Sequence, residues 1–296
     1  MVDTTGASLS TDAIQECMEH GIPISFLSNT GHPYAMLTSP NLVGTVLTRR
    51  EQLLAYLDER GLNLAKSFVE GKLKNQANLL KYFAKYRKAG QVEVFELIYG
   101  AARQIEELGG ELKGIRGSHI DECRGQVMAA EGRAGNIYWQ AVEALVKDKM
   151  EFPGREHRGT QDPLNAMLNY GYGILTQQVE AALIRAGLDV FAGYLHVDRS
   201  GKKSLVYDFV EEFRQPVVDR AMLAAVNKGF RPEMEEGKLG RETRRQLAQK
   251  VLERLEGQES FQGKKQKIKN IIQIQARRIA TFLRGESRYR PFTSGW

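Results

Sequence analysis

The spacing of apolar residues predicts a mostly helical chain. From about Val43 nearly to the C-terminus, apolar positions return every three or four residues, which is the period of an amphipathic α-helix. Beyond the first helical stretch, the pattern predicts six further helices, at Val94–Leu108, Glu111–Val146, Pro163–Ala186, Ser204–Asn227, Arg241–Leu255 and around Lys264–Leu283. Asp162 and Ser204 are predicted N-terminal caps, because their side-chain oxygens can accept from first-turn N–H groups. The remaining segments are predicted to be loops or a tail: Gly154–Gln161, Phe230–Gly237 and Gly285–Trp296.

The first 41 residues follow a different pattern. A helix capped by Ser10 or Thr11 and ending at Gly21 precedes two predicted strands, Ile22–Ser28 and Tyr34–Ser39. Two strands do not make a stable sheet by themselves. We therefore expect residues 1–41 to be the remnant of a strand-rich N-terminal domain and residues 42–296 to form one large helical domain. The expected fold class is mainly α.

Composition narrows the class of protein. The 296 residues are 42% hydrophobic, and no run approaches the ~18 consecutive apolar residues of a membrane span. The first 20 residues lack the order of a signal peptide, so we expect a cytoplasmic protein without a membrane partner. Cys17 and Cys123 are the two cysteines, which argues against a disulfide framework, a four-cysteine zinc site or a self-contained iron–sulfur cluster. A metal site would have to use His and carboxylates.

The charge is distributed unevenly along the chain. The sequence carries 42 Lys and Arg against 36 Asp and Glu, but residues 237–296 alone hold 15 basic and 5 acidic residues. A second basic block, Asn63–Gly90, holds seven basic residues against Glu70 alone. Such blocks attract polyphosphate backbones, although each alone could equally be a solvated helix face. We predict that these basic residues contact DNA: Lys66, Lys72, Lys74, Arg241, Arg244 and Arg245.

Several familiar enzyme motifs are missing. The string "GKKS" at Gly201–Ser204 is not a phosphate loop, because the position that needs the upstream glycine is His196. "GYGILT" from Gly171 lacks the third glycine of a dinucleotide fingerprint. None of the five histidines is followed by Asp, and no Gly-x-Ser-x-Gly elbow occurs.

One group of residues does suggest a metal site. In "GYLHVDRSGKKSLVYDFVEEFRQPVVDR", a turn connects His196 to a helix on which Asp208 and Glu211, three residues apart, share one face. Carboxylates beside the apolar stripe of this helix need a compensating cation if they are buried. With the imidazole they would suit Mg²⁺ or Mn²⁺. Structural ion pairs produce similar clusters.

Glu131 is the best candidate for a third carboxylate. Apolar residues surround it at helical spacing: Val127, Met128, Ala134, Tyr138, Val142 and Leu145. Gly132 and Gly135 are unusual inside a helix, where each costs roughly 1 kcal/mol relative to Ala. Close approach of the helix backbone to another group would explain them.

Five strings in order resemble the CRISPR-associated integrase, the universal spacer-acquisition nuclease. They are "LSTDAIQECMEHGIPISFLSNTG", "LAKSFVEGKLKNQANLL", "AAEGRAGNIYW", "QDPLNAMLNYGYGILTQQVEAALIRAGLDVFAGYLH" and "SLVYDFVEEFRQPVVDR", and the resemblance covers Ser8 to about Gly229. It implies a helical catalytic domain in which Glu131, His196 and Glu211 bind the metal and Asp208 is an accessory catalytic acid. Many family members have Asp where this chain has Glu211. The resemblance further places Asn165, Tyr172, Lys202 and Lys203 at the substrate.

The resemblance also implies an activity and partners. The expected activity joins the 3′-hydroxyl ends of captured foreign DNA to the CRISPR repeat, or cuts DNA with water as nucleophile. Expected partners are double-stranded DNA, a second copy of the chain, and a small second CRISPR-associated protein that bridges two integrase dimers. Because the chain starts at the last helix and hairpin of the family's N-terminal domain, a fusion to the CRISPR-associated exonuclease is a further possibility.

Two other hypotheses remain at this point. In the first, the protein is a helical DNA-binding scaffold whose acids pair with Arg133, Arg214 or Arg220. In the second, it is a metal-dependent hydrolase of small phosphoesters, for which the basic C-terminal block would be unnecessary.

Overall fold

A computed structural model describes residues 6–27, 33–39, 46–156 and 160–295. The ten α-helices of these residues are α1 (Thr11–Glu19), α2 (Val46–Leu54), α3 (Glu59–Ala84), α4 (Val92–Gly114), α5 (Ile120–Val146), α6 (Pro163–Arg185), α7 (Ser204–Val210), α8 (Arg220–Asn227), α9 (Arg241–Glu256) and α10 (Ile268–Leu283). A 3₁₀ turn (Ala55–Leu57) follows α2, and a π-helix (Arg214–Asp219) lies between α7 and α8. The strands are β1 (Ile24–Leu27), β2 (Pro33–Leu37), β3 (Met234–Glu235), β4 (Lys238–Leu239), β5 (Gln258–Phe261) and β6 (Lys264–Lys267).

The strands pair only as three antiparallel hairpins. In the N-terminal hairpin, β1 and β2 pair with Ile24 opposite Leu37. The helix before it is capped as predicted, since the Ser10 hydroxyl accepts from the N–H of Ala13 at 3.2 Å. No residue of α1 is buried. The fold class is therefore mainly α, as predicted, while the separate status of residues 1–41 remains a prediction; the turn between the strands and the predicted boundary at Pro40–Leu42 lie outside the described residues.

A single apolar core joins two groups of helices. In one group α3 packs against α4 and α5, and in the other α6 packs against α7, the π-helix, α9 and α10. The long helix α3 also contacts the π-helix, α7 and α10, so it connects the groups. Gly71 allows one of these approaches: a Cβ there would lie 2.8 Å from Pro291 Cβ and 3.0 Å from Glu212 Cγ.

Helix α6 confirms the signals that predicted it. Asp162 is its N-cap and accepts from the N–H of Asn165 at 2.9 Å, and Pro163 occupies the first turn. The predicted cap at Ser204 is wrong. Lys203 is the N-cap of α7 and makes no capping bond, while the buried Ser204 hydroxyl has no hydrogen-bond partner among the described residues.

The predicted helix Val94–Leu108 runs from Val92 to Gly114 in the structure, and three further predicted helices differ more strongly. The predicted helix over 111–146 is divided, because α4 extends through Gly114 and a new helix begins at Ile120, where Glu122 accepts from the N–H of Ser118. The predicted helix at Lys264 begins at Ile268; the residues before it form β6, which follows a turn in which Gln262 and Gly263 have positive φ. The predicted helix over 204–227 is interrupted after Val210 and continues as a π-helix that contains Pro216, which has no N–H.

None of the described helices is both long enough and apolar enough to span a bilayer.

Candidate active site

The three predicted metal ligands border one cavity. Glu131 on α5, His196 in the loop before α7 and Glu211 directly after α7 all line a cavity of about 440 Å³. Glu131 is half-buried and Glu211 is buried. The helical spacing predicted around Glu131 holds for five of its six apolar neighbours, since only Met128 is exposed. Residues distant in the sequence therefore meet at one place.

Asp208 lies behind His196 rather than in the cavity wall. Its fully buried carboxylate accepts from the backbone N–H groups of Tyr194, Leu195 and His196 at 2.7, 2.9 and 3.0 Å. The same carboxylate lies 2.7 Å from Nδ1 of His196. These contacts occupy Nδ1, so Nε2 is the imidazole nitrogen that Asp208 leaves unengaged. The structure therefore gives Asp208 the position of a residue that orients the imidazole.

The loop that carries His196 is anchored on its other side by Gln52 of α2. Gln52 Nε2 donates to the carbonyl oxygens of Asp189 and Ala192 at 2.8 and 2.9 Å, and its Oε1 accepts from the N–H of Asp189 at 2.9 Å. Gly193 lets this loop pack on the start of α7, since a Cβ there would lie 2.6 Å from a backbone atom of Ser204. No sequence signal pointed to Gln52.

Glu211 lies at the helical break between α7 and the π-helix, where it meets two cations. Lys72 Nζ is 2.7 Å from its Oε2, and Arg214 Nη2 is 3.1 Å from its Oε1. Burial would raise the pKa of Glu211, but Arg214 and Lys72 lower it below its usual value. Glu211 is therefore a charged carboxylate at neutral pH.

Lys72 of α3 lies between the two carboxylates. Its ammonium contacts Glu131 as well as Glu211, and the residue is 8% exposed. Burial would lower the pKa of Lys72, but Glu211 and Glu131 raise it above its usual value. Within the described ranges, no three His, Cys, Asp or Glu side chains are arranged as they stand to hold a metal ion. The Lys72 ammonium already bridges Glu131 and Glu211, the two acids that would be the oxygen ligands of the metal ion.

The wall of the cavity also carries aromatic rings and guanidinium groups. Arg155 and Arg214 lie 5.4 and 5.1 Å from the ring centroid of Tyr172, and Arg155 lies 5.7 Å from the ring of Trp139. The hydroxyl groups of Tyr172 and Tyr138 donate to buried Asp219. Guanidinium groups held in this way are suited to binding phosphate.

Asn165 holds Arg155 in place. It is fully buried, and its Oδ1 accepts from Arg155 Nη1 at 2.8 Å and from the N–H of Glu156 at 3.0 Å. Its amide nitrogen donates to Gly154 O at 2.7 Å. The structure places Asn165 next to a cavity residue, while its predicted contact with DNA stays a prediction.

Three buried polar atoms on cavity residues lack a hydrogen bond among the described residues. They are Gln76 Oε1, Gln215 Oε1 and Arg214 Nε. Glu211 Oε2, by contrast, has the Lys72 ammonium 2.7 Å away as its partner. Buried polar groups are normally paired, so the first three atoms suggest that the cavity binds a polar or charged group.

The glycines of α5 also border the cavity. Gly132 and Gly135 line it, and a Cβ at either position would have no heavy atom of the described residues within 4 Å. No group of the described residues therefore approaches the helix backbone closely at these glycines, and an approach by a bound molecule stays a prediction. The missing side chains instead leave open space.

The predicted DNA-binding lysines lie in different environments. Lys66 donates to Ile115 O at 2.7 Å, and exposed Lys74 pairs with Glu70 at 2.6 Å. Lys202 lies 5.7 Å above the ring of Tyr207, and Lys203 pairs with Glu180 at 2.6 Å. Lys72 differs from all of these, because its ammonium faces the cavity acids and not the outer surface.

The predicted arginines lie at the start of α9. Arg241 and Arg245 are exposed, Arg244 is half-buried, and Arg245 is 3.5 Å from Glu242. The role of all these residues in DNA binding stays a prediction.

The pairings proposed by the scaffold hypothesis occur only in part. Arg214 does pair with Glu211, but Arg133 pairs with Glu111 and Arg220 with Glu259. Arg155 was not predicted to belong to the site. Lys72 was predicted to contact DNA as part of a basic block, in which the uneven spacing of the charges gave no sign of an inward position.

A sequence profile described as "CRISPR associated protein Cas1" matches residues 2–253. CRISPR-associated endonuclease Cas1 1 of Archaeoglobus fulgidus is 39% identical, in an alignment that spans 98% of this chain and 87% of that protein.

Two solved structures are similar in fold. A casposase bound to integration product has a TM-score of 0.81 at 24% identity, with 97% of this chain and 78% of that chain covered. A Cas6-RT-Cas1–Cas2 complex has a TM-score of 0.74 at 21% identity, with 96% of this chain and 31% of that chain covered. At these identities the likeness concerns the fold alone.

Proposed function

The chain belongs to the Cas1 family of CRISPR-associated proteins, and from that premise we propose that it is a divalent-metal-dependent DNA endonuclease and integrase of CRISPR adaptation. In this proposal it joins the 3′-OH ends of captured foreign DNA to the CRISPR repeat by phosphodiester transesterification. With water as the nucleophile, the same site cuts DNA. The observation that carries the proposal is the convergence of Glu131, His196 and Glu211 on one cavity.

The residues present fit a divalent ion. Two carboxylates and an imidazole nitrogen are donors that suit Mg²⁺ or Mn²⁺. The space beside Gly132 and Gly135 is open, and a cationic ammonium already stands between the two acids. We assign Glu131, Glu211 and Nε2 of His196 as ligands.

The chemistry that a divalent ion supplies in such a site is polarisation of the scissile phosphate and stabilisation of the leaving 3′-oxygen. The chain's own residues orient and bind. The contact of Asp208 with Nδ1 of His196 favours the tautomer whose Nε2 lone pair is free to bind the metal. Arg155 and Arg214, packed against Tyr172, would bind phosphate oxygens of the DNA.

The rest of the DNA path and the partners are proposed on charge and on similarity. The basic residues of α3 and of the C-terminal region would hold the phosphate backbone without selecting a sequence. A similar structure contains a Cas1–Cas2 assembly and another is bound to a DNA integration product, which supports a Cas2-like partner and DNA for this chain. A homodimer and an association with the CRISPR-associated exonuclease complete the proposed partners.

The proposal is tested with purified protein, Mn²⁺ and a fluorescent branched DNA. Glu131→Ala and His196→Ala should each lower strand transfer and cleavage by at least about a hundredfold, while DNA affinity stays within a few-fold. Matched controls are Glu143→Ala, an exposed acid on the same helix, and His119→Ala. Neither control should change activity.

Two outcomes would favour the other hypotheses. DNA binding without cutting or joining by the wild-type protein would favour the scaffold, and the pairing of Glu211 with Arg214 would then be its structural basis. Turnover of a nucleotide or chromogenic phosphoester, with no effect of DNA, would favour a small-molecule hydrolase.

A further inference from the structure

Lys72 is the most unusual cation of the candidate site. Lysine is seldom buried unless its charge is paired, and this ammonium is paired twice, with Glu131 and with Glu211. The neighbouring lysine on the same helix, Lys74, is exposed and forms an ordinary pair with Glu70. The inward position of Lys72 is therefore a property of that residue and not of the helix as a whole.

The two carboxylates that hold Lys72 are the oxygen ligands assigned to the divalent ion. An ammonium and a divalent ion cannot both lie between the same two acids, because like charges at such short distances repel strongly. The ammonium lies 2.7 Å from Glu211 Oε2, and its single positive charge is shared between the two carboxylates. A doubly charged ion with shorter oxygen contacts should displace it.

We infer that Lys72 is an internal cation that occupies the metal position in the metal-free protein, and that metal binding releases it to contact a phosphate of the DNA. This inference rests on the proposed function. It makes Lys72 a positioning residue that keeps the two acids together before the metal arrives. It also couples two binding events, because the ion frees a positive charge for the substrate.

The cavity has room for the released side chain. Gly132 and Gly135 leave open space in the wall near Glu131, and two guanidinium groups suited to phosphate, those of Arg155 and Arg214, line the same cavity. An ammonium that leaves the acids would remain within a phosphate-binding cavity. Without DNA, the released ammonium would be exposed to solvent.

The first experiment uses the wild-type protein. Its lysines are acetylated with an N-hydroxysuccinimide ester in the absence and presence of Mn²⁺, and the modification of each lysine is measured by mass spectrometry. Acetylation of Lys72 should rise at least several-fold with Mn²⁺, because its ammonium loses both carboxylate partners. Acetylation of Lys74 should not change. Unchanged or reduced acetylation of Lys72 under conditions where Mn²⁺ binds would overturn the inference.

The second experiment measures Mn²⁺ affinity by calorimetry without DNA. Lys72→Met removes the competing charge, so its affinity should be about tenfold higher than that of the wild type or more, as expected when a competing interaction of ~1.4 kcal/mol is lost. Lys74→Met should bind Mn²⁺ as the wild type does. Should Lys72→Met not fold, Lys72→Gln retains a polar side chain, and the labelling experiment needs no variant.

DNA binding gives a third, independent measurement. With Mn²⁺ present, the logarithm of DNA affinity should fall less steeply with the logarithm of salt concentration in Lys72→Met than in the wild type. The slopes should differ by about one, which corresponds to one lost phosphate contact. Without metal the two slopes should agree. Anisotropy is recorded before products accumulate, as checked on denaturing gels. Equal slopes in both conditions would contradict the release of Lys72 to DNA.

The outcomes separate this inference from the proposed function. If Mn²⁺ binds neither the wild type nor Lys72→Met, the metal-dependent function fails and the inference fails with it. If Mn²⁺ binds both proteins and Lys74→Met with equal affinity, the inference alone is overturned.

Discussion

Glu211 and Glu212 are adjacent in the chain and both are buried, but they face opposite sides of the helical break. Glu211 faces the cavity and meets the cations described above. Glu212 faces the C-terminal segment, where the Tyr289 hydroxyl donates to its Oε1 and the Phe292 N–H donates to its Oε2 at 2.9 Å. No cation contacts Glu212 in the part of the chain that the structure describes.

The pKa values of these two acids consequently move in opposite directions. Burial raises the pKa of Glu212 to about 8, in spite of the hydrogen bonds from the C-terminal segment. Burial acts on Glu211 in the same sense, but Arg214 and Lys72 lower its pKa. The comparison shows that cations, and not burial, decide which acid is charged. At neutral pH Glu211 is charged and can bind a metal, while Glu212 is mostly protonated and acts as a neutral hydrogen-bonding group.

The largest expected effect is a difference in DNA cleavage between variants of Glu211 and of Glu212. Glu211→Gln removes a ligand charge and should lower DNA cleavage by about a thousandfold or more. Glu212→Gln keeps a neutral side chain in a neutral position, so activity should stay within about threefold. Both are measured as initial rates with Mn²⁺ and the same branched DNA. Equal losses in the two variants would mean that the cavity does not distinguish these acids.

The second prediction concerns pH. The folded-state pKa of Glu212 lies above its unfolded value. Its contribution to the free energy of unfolding is therefore fully present below pH ~4.5 and is lost as the pH rises towards 8. The wild type should therefore lose roughly 4 kcal/mol of unfolding free energy relative to Glu212→Gln over this range. Urea unfolding of both proteins at several pH values measures the difference. Parallel curves would show that Glu212 does not bind a proton on folding.

A smaller effect is expected on the side of the C-terminal segment. Asn75 donates to the carbonyl oxygens of Glu212 and Phe292 at 2.8 and 3.0 Å and accepts from the Ser294 N–H at 2.8 Å. Asn75→Ala leaves these buried backbone groups unpaired and should cost about 2 kcal/mol of unfolding free energy. The control is Asn78→Ala, which loses one bond to Ser294 O and should cost about 1 kcal/mol or less. Similar losses in both variants would contradict a special role for Asn75.

Capping residues and prolines in the sequence predicted the helix ends that depend only on neighbouring residues. Helix α6 begins at Pro163 as predicted, because the capping Asp162 and the proline act within one turn. The Gln262-Gly263 turn was an equally local signal, but the helical pattern after it led to a helix being predicted where β6 lies. The helical break after Val210 was not predicted, although Pro216, which has no N–H to donate, was a signal for it in the sequence.

The residues of the candidate site likewise include some that were predicted from the sequence and some that were not. The resemblance identified Glu131, His196 and Glu211, and the structure brings them to one cavity. The inward position of Lys72 could not be predicted, because it depends on the packing of α3 against α5 and on the contact of Lys72 with Glu211, which is distant in the sequence. Gln52 was missed for the same reason, since its partners in the loop at 189–192 are far away in the sequence.

The π-helix gives the chain a place where its length can change at little cost. A π-helical stretch accommodates about one more residue than the α-helix it replaces. Deleting a single residue such as Gln215 would let α-helical hydrogen bonds close between the same flanking residues, so Glu211 and Asp219 would keep nearly the same relative orientation. In the regular helix α6, the same deletion would rotate the residues on one side of the deletion by about 100° relative to those on the other. In a library of one-residue deletions, residues 214–218 should therefore tolerate shortening better than α6 does.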